Sequence, residues 1–208
     1  MINIETITVS MFATNCYLVS CALTQEAIVI DPGADAKRIM ARIEKGQLKI
    51  RAIVNTHGHI DHIGANRKLK DEYQVPILLS EKDLAVYHNP GFGLGLVLKK
   101  QPGPDRLIKE GDIIEFGEQT LAVIDTPGHT EGGVSLVSRG LVFCGDTLFA
   151  GSVGRTDLAG GSYQTLLKSI KDKLMTLSPE TVVYCGHGPA TTIGAEAQTN
   201  PFITGLDP

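Results

Sequence analysis

Five of the six histidines of this 208-residue chain fall in three short segments, and two aspartates accompany them. The densest segment, Thr56-His57-Gly58-His59-Ile60-Asp61-His62, puts four metal-binding groups within six positions. His129 follows in Pro127-Gly128-His129-Thr130, Asp146 in Cys144-Gly145-Asp146-Thr147 and His187 in Cys185-Gly186-His187-Gly188. Neutral imidazole and carboxylate are the donors that borderline divalent cations take, and seven of them suffice for two ions. The pattern predicts a metal-dependent hydrolase holding two divalent ions, zinc first, with iron or manganese suited to the same donors. His88 stands outside the set and reads as a surface or helix-end residue.

These ligands need a scaffold, and the local pattern supplies one. Short apolar runs at residues 2–9, 15–19 and 27–31 predict strands, the third closed by the turn signal Asp31-Pro32-Gly33. Helical periodicity over 35–45 puts Ile39, Met40 and Ile43 on one side. A strand over 48–55 delivers the chain into the histidine-rich segment. A helix over 64–73, a strand over 76–79 and a short helix over 81–87 with Ser80 as cap come next. Strands are expected at 112–116, 120–125, 133–137, 141–144 and 181–185, with helices over 163–177 and 194–198. Strands in groups with single helices between them suit two sheets sandwiched between outer helices, in one domain spanning 1–208. Each ligand group directly follows a strand, so loops at one edge of such a sandwich can converge.

Two cysteines compete for a ligand role, because Cys144 and Cys185 each lie two residues before a proposed ligand. Both close apolar runs, where cysteine behaves as a small buried hydrophobe, and packing is the expectation. Cys16 and Cys21 are an odd number of positions apart on a strand pattern and should face opposite ways. The stretch 91–98 is rich in glycine yet carries Phe92 and several leucines. It reads as an apolar loop tucked over the core, with a lid as the alternative.

Composition excludes several classes of function. A formal charge of -4 argues against a nucleic-acid partner, which requires a basic surface. No apolar run approaches the ~20 residues of a membrane span, so no membrane partner is expected. The first residues, Met-Ile-Asn-Ile-Glu-Thr, lack the pattern of a secretory signal, and cytoplasmic residence is expected.

The set His57-Gly58-His59-Ile60-Asp61-His62 with His129, Asp146 and His187 resembles the metallo-β-lactamase superfamily. The segments Phe149-Ala150-Gly151-Ser152-Val153-Gly154-Arg155-Thr156-Asp157 and Gly186-His187-Gly188-Pro189-Ala190-Thr191-Thr192 are similar to short glyoxalase II-like hydrolases. The resemblance implies an α/β (α+β) fold, a four-layer αββα sandwich of two mixed sheets. It implies His57, His59 and His129 on one ion, Asp61, His62 and His187 on the other, and Asp146 between them. Arg155 stands where those enzymes carry a glutathione-binding lysine, and Pro189 where they carry a tyrosine.

The implied chemistry is cleavage of a small-molecule 2-hydroxyacyl thioester such as S-lactoylglutathione by a metal-bound hydroxide. Two dications outweigh the negative charge of Asp61, Asp146 and a bridging hydroxide, which suits an oxyanion in the transition state. Asp61 and Asp146 are the expected catalytic carboxylates. Arg155 is the candidate substrate-carboxylate contact, and a local pair with Asp157 explains it equally well. A related alternative is a persulfide dioxygenase using one iron through His57, His129 and Asp146. A non-catalytic module stapled by metal is the third reading, and open coordination positions argue against it.

Overall fold

The computed structural model describes residues 1–89 and 101–205, so the stretch 91–98 lies outside the described residues. The chain begins with β1 (Ile2–Val9), which pairs antiparallel with β2 (Thr14–Cys21) along its full length, Ile2 opposite Cys21 and Val9 opposite Thr14. β3 (Glu26–Ile30) runs antiparallel to β2. Helix α1 (Ala36–Lys45) then carries the chain over to β4 (Lys49–Val54), parallel to β3. Two helices, α2 (Ile60–Ile63) and α3 (Asn66–Tyr73), lead to β5 (Ile77–Ser80). A 3₁₀ turn at Glu81–Asp83 and α4 (Leu84–His88) precede β6 (Arg106–Ile108). β4, β5 and β6 are parallel, and the first sheet has the order β1-β2-β3-β4-β5-β6.

The second sheet opens as an antiparallel meander of β7 (Ile113–Phe116), β8 (Gln119–Asp125), β9 (Val134–Ser138) and β10 (Leu141–Gly145). A two-stranded ribbon of β11 (Leu148–Phe149) and β12 (Ser152–Val153) follows, then α5 (Tyr163–Ser169). β13 (Val182–Cys185) returns parallel to β10, with β14 (Thr191–Thr192) at its edge and α6 (Ile193–Thr199) behind. The order β14-β13-β10-β9-β8-β7 makes this sheet mixed as well.

Alternation along the strands sorts the apolar side chains into three layers. Tyr17, Val19 and Cys21 of β2 join Ile28, Val54, Leu121, Val123 and Phe143 between the sheets. Cys16 and Leu18, on the opposite face of β2, pack with Ile39 and Ile43 of α1 and Leu69 of α3. On the far side, Val142, Cys144 and Cys185 pack with Leu166, Ile170 and Leu174. This is the αββα sandwich, with Cys16 and Cys21 on opposite faces as their spacing requires.

Local readings differ in places. The helix expected over 163–177 is α-helical only to Ser169 and then loosens into a π turn, Ile170–Leu174. The helix expected over 64–73 is α3, which begins two residues later at Asn66, and a separate short helix, α2, precedes it inside the ligand motif. Ser80 occupies the N-cap position of the 3₁₀ turn but makes no side-chain cap. His88 is exposed at the end of α4, as expected of a helix-end histidine. No helix among the described residues is long and apolar enough to cross a membrane.

The inter-sheet layer centres on an aromatic trio, Phe143 with Tyr17 at 5.1 Å and with Tyr184 at 5.0 Å between ring centroids. Phe143 is fully buried. Phe143→Ala should cost about 3–5 kcal/mol of stability, read as a lower urea midpoint at unchanged slope.

Candidate metal centre

Loops leaving β4, β8, β10 and β13 deliver the ligands to one edge of the sandwich. Backbone hydrogen bonds join the two sheets there: Asn15 N–H donates to Gly186 O (2.7 Å) and Val134 N–H to Thr56 O (2.9 Å). Gly186 is packed so closely that a Cβ on it would lie 2.0 Å from Asp146 Oδ1 and 2.9 Å from the His62 ring. The seven predicted ligands all meet at this edge.

His57, His59 and His129 form one group and Asp61, His62 and His187 a second, the donor atoms of each lying within 4.8 Å of one another. Asp146 sits between them, 3.6 Å from His129 Nε2, 3.4 Å from His62 Nε2 and 3.5 Å from His187 Nε2. His59 Nδ1 and His129 Nε2 point at each other across 2.8 Å. Cys144 and Cys185 are buried in the outer apolar layer with no place in either group.

The tautomers follow from the partners. A carbonyl oxygen only accepts, so His129 donates from Nδ1 to Arg155 O (2.7 Å) and His187 from Nδ1 to Phe12 O (3.0 Å). Each turns its Nε2 toward the centre. His62 Nδ1 likewise donates to Asp31 Oδ2 (3.0 Å), and Asp31 accepts from Thr56 N–H (2.8 Å) and Thr56 Oγ1 (2.6 Å). Having donated its proton, Thr56 Oγ1 accepts from His57 Nδ1 at 3.1 Å. One buried carboxylate, Asp31, therefore orients a histidine in each group.

Asp83 is a second organiser. It is fully buried, and its two oxygens accept from Gly58 N–H and Gly132 N–H, clamping the His57–His62 loop to the loop after His129. Burial raises its carboxyl above the ordinary range. Neither Asp31 nor Asp83 stood out in the sequence. In the sequence Asp31 belongs to a turn signal and Asp83 to the start of a helix.

Histidines of the two groups differ in charge state. Burial, then the neighbouring imidazoles, holds His57 well below the usual histidine range and brings His59 down to about 4, so both are neutral donors. Burial would also lower His62 and His187. The carboxylates of Asp146 and Asp31 override it for His62, and those of Asp146 and Asp61 raise His187 to about 10. Burial opposes ionisation of Asp146, yet the charge of His62 and a hydrogen bond from His187 keep it well below the carboxylate range.

Buried His57 Nε2, His62 Nε2 and Asp146 Oδ1 make no hydrogen bond among the described residues. An unpaired buried donor or acceptor costs about 1–3 kcal/mol, and here three of them converge on one spot. Divalent cations satisfy all three at once, and the donor set fits them. Above the centre opens a cavity of about 400 Å³ lined by Phe12, Phe149, Val153, Arg155 and Leu158, with Asp61, Asp146 and His187 at its base. Arg155 reaches this cavity while gripping Asp157 through two bonds, Nε to Oδ1 and Nη2 to Oδ2, both 2.7 Å.

A sequence profile of the Metallo-beta-lactamase superfamily matches residues 10–187. The chain belongs to that superfamily. Its curated relatives include hydroxyacylglutathione hydrolase GloC of Haemophilus influenzae, 38% identical over 210 residues, covering 97% of this chain and 98% of the relative. Among solved structures, BLEG-1 B3 metallo-beta-lactamase superposes with a TM-score of 0.91 at 36% identity, covering 98% of this chain and 100% of that one. TTHA1623, crystallised in a di-iron-bound form, superposes at 0.87 with 37% identity, covering 95% and 99%. The superfamily is one of metallo-hydrolases, and the paired ligand groups are those of a divalent-metal site.

Two outcomes follow from this geometry. Asp83→Ala leaves two buried N–H groups unpaired, so stability should fall by about 1–3 kcal/mol or more and metal should be lost first from the His57, His59, His129 group. Unchanged metal affinity with a lowered melting temperature would reduce Asp83 to a purely structural role. Ions entering the second group must displace protons from His62 and His187, whereas His57 and His59 hold none. Zinc titration calorimetry in two buffers of different ionisation enthalpy, at neutral pH, should show more protons released on filling the site that contains His62 and His187 than on filling the other. Lowering the pH should then strip the ion beside His62 and His187 first. Equal release at both sites would contradict the charge assignment.

Proposed function

We propose that the chain hydrolyses a 2-hydroxyacyl thioester such as S-lactoylglutathione at a pair of divalent ions, zinc by preference. What carries the reading is the convergence of two three-ligand groups on Asp146 at the base of an open cavity. A merely structural ion is normally closed off by four protein ligands and needs no such opening. Support also comes from the curated relative named as a hydroxyacylglutathione hydrolase. Four buried, free cysteines suit a reducing compartment, and cytoplasmic residence is part of the proposal.

When bound, the ions acidify a water to a pKa of about 7 and polarise the thioester carbonyl. Asp61 lies at the cavity base with Oδ2 accepting from Thr14 Oγ1 at 3.2 Å, which leaves its other oxygen to orient that water and accept its proton. The departing thiolate, with an ordinary thiol pKa of about 8.5, leaves without a dedicated acid. Phe149, Val153 and Leu158 exclude water from one arm of the substrate. Arg155 stands at the rim, where a substrate carboxylate would share its guanidinium with Asp157.

The test is thiol release from S-lactoylglutathione with metal quantified in parallel. Two ions per chain and turnover without oxygen uptake are expected. Asp146→Ala should lower turnover by on the order of 100-fold or more, beyond the typical effect of losing an outer partner of a ligand. Full metal loading with no release from any acyl-thiol would end the proposal, as would normal turnover and two tight ions in Asp146→Ala. A chromogenic cephalosporin belongs in the same panel, because BLEG-1 is named a β-lactamase. Oxygen consumption with a single iron and a persulfide would favour the dioxygenase alternative.

A further inference from the structure

A second cavity, of about 370 Å³, opens on the other side of the hairpin tip between β1 and β2. Phe12 and Asp61 line both cavities, so the second begins where the first reaches the metal ligands. Its walls are largely apolar: Met11, Phe12, Ala34, Ala36, Ile60 and Ala65. Met11 is 91% exposed at the tip, and an apolar side chain held open to water beside an apolar hollow marks a surface that a ligand can cover.

The floor is rigid. A Cβ on Gly33 would lie 1.5 Å from Asp61 O, and one on Gly64 would lie 2.2 Å from Gly33 O, so two loops are locked backbone to backbone beneath the cavity. The tip is tied down as well, since Ser10 N–H donates to Asp35 Oδ2 at 3.1 Å. A preformed apolar hollow with few polar groups has the character of a small-molecule site.

Charge enters at the outer end. Lys68 lines the cavity and, with Lys37 and Arg38, an adjoining open depression. Arg38 is committed to Thr8 O (2.8 Å), and Asp35 is the acidic residue among them. Lys37 and Lys68 are exposed and make no ion pair among the described residues. The hollow is thus apolar along its length and cationic at its mouth.

We propose that this second cavity binds the acyl arm of the substrate, and that the preferred acyl groups are longer than lactoyl and end in an anion. The thiol arm then lies toward Arg155, the scissile carbonyl over Asp61 and Asp146, and the acyl chain passes beneath Phe12 toward Lys68. A three-carbon acyl group leaves most of the 370 Å³ unfilled. The naming of the arms rests on the thioesterase reading; the existence of the subsite does not.

Binding of free 2-hydroxy acids to the full, metal-loaded chain tests it by calorimetry: lactate, 2-hydroxyhexanoate and 2-hydroxyhexanedioate. Each buried methylene can strengthen binding roughly fourfold, so the six-carbon acid should bind at least about tenfold more tightly than lactate. The diacid should gain further at low salt. Ala34→Phe should abolish the chain-length gain, and Lys68→Glu should remove the advantage of the diacid alone. Met11→Ser, at an exposed position that folding does not depend on, should reduce the chain-length gain should Ala34→Phe fold poorly. Affinity independent of chain length, or a gain that survives both Ala34→Phe and Met11→Ser, overturns the subsite. A parallel thioester panel separates the two ideas: no hydrolysis at any acyl length sinks the thioesterase reading, while the acid-binding series still decides the subsite.

Discussion

Crowding five imidazoles and two carboxylates into one dry edge of a protein is unfavourable unless something outside the crowd holds each ring in place. Burial drives His57 and His59 to the neutral form, while Asp146, Asp61 and Asp31 pull His62 and His187 the other way. Neighbouring rings of the same cluster therefore carry opposite protonation preferences. The arrangement survives because the ring nitrogen turned away from the centre has a fixed acceptor in His62, His129 and His187, and His57 leans on Thr56. The bonds of His57 and His62 lead back to one buried carboxylate, Asp31, so these two ligands cannot relax apart.

The sandwich supplies that rigidity. β4 lies in the first sheet and β8, β10 and β13 in the second, yet their loops meet because the sheets are hydrogen-bonded to each other at this edge through Asn15, Gly186, Thr56 and Val134. Asp31 and Asp83 then work across loops rather than along the chain. Asp31, at the end of β3, reaches Thr56 and His62; Asp83, after β5, reaches Gly58 and Gly132. Buried carboxylates that accept several N–H bonds are costly to place and rigid once placed.

The ligands themselves were legible because metal donors are rare residue types in a distinctive order, each set directly after an apolar run. The layers were legible for a related reason: alternation in β2 separates Tyr17 and Val19 from Cys16 and Leu18 without reference to the fold. What stayed hidden lies in contacts between distant segments. Asp31 has the same local signature as any turn aspartate, and Asp83 looks like an ordinary acidic residue near a helix start. The π turn at Ile170–Leu174 hides because its apolar spacing still satisfies a helical stripe, and the two-residue strands of the ribbon are too short to carry a pattern. Ser80 misled because a residue suited to capping takes the cap backbone without making the bond.

The bond from His187 to Phe12 O joins a metal ligand to the tip of a hairpin rather than to the body of the fold. Two equilibria thereby become one. Whatever lifts the tip weakens the hold on the ion beside His187, and by thermodynamic reciprocity a bound ion stiffens the tip to the same degree. Metal content and the breathing of this loop are then a single linked variable, sensed by a backbone carbonyl that no side-chain comparison would single out.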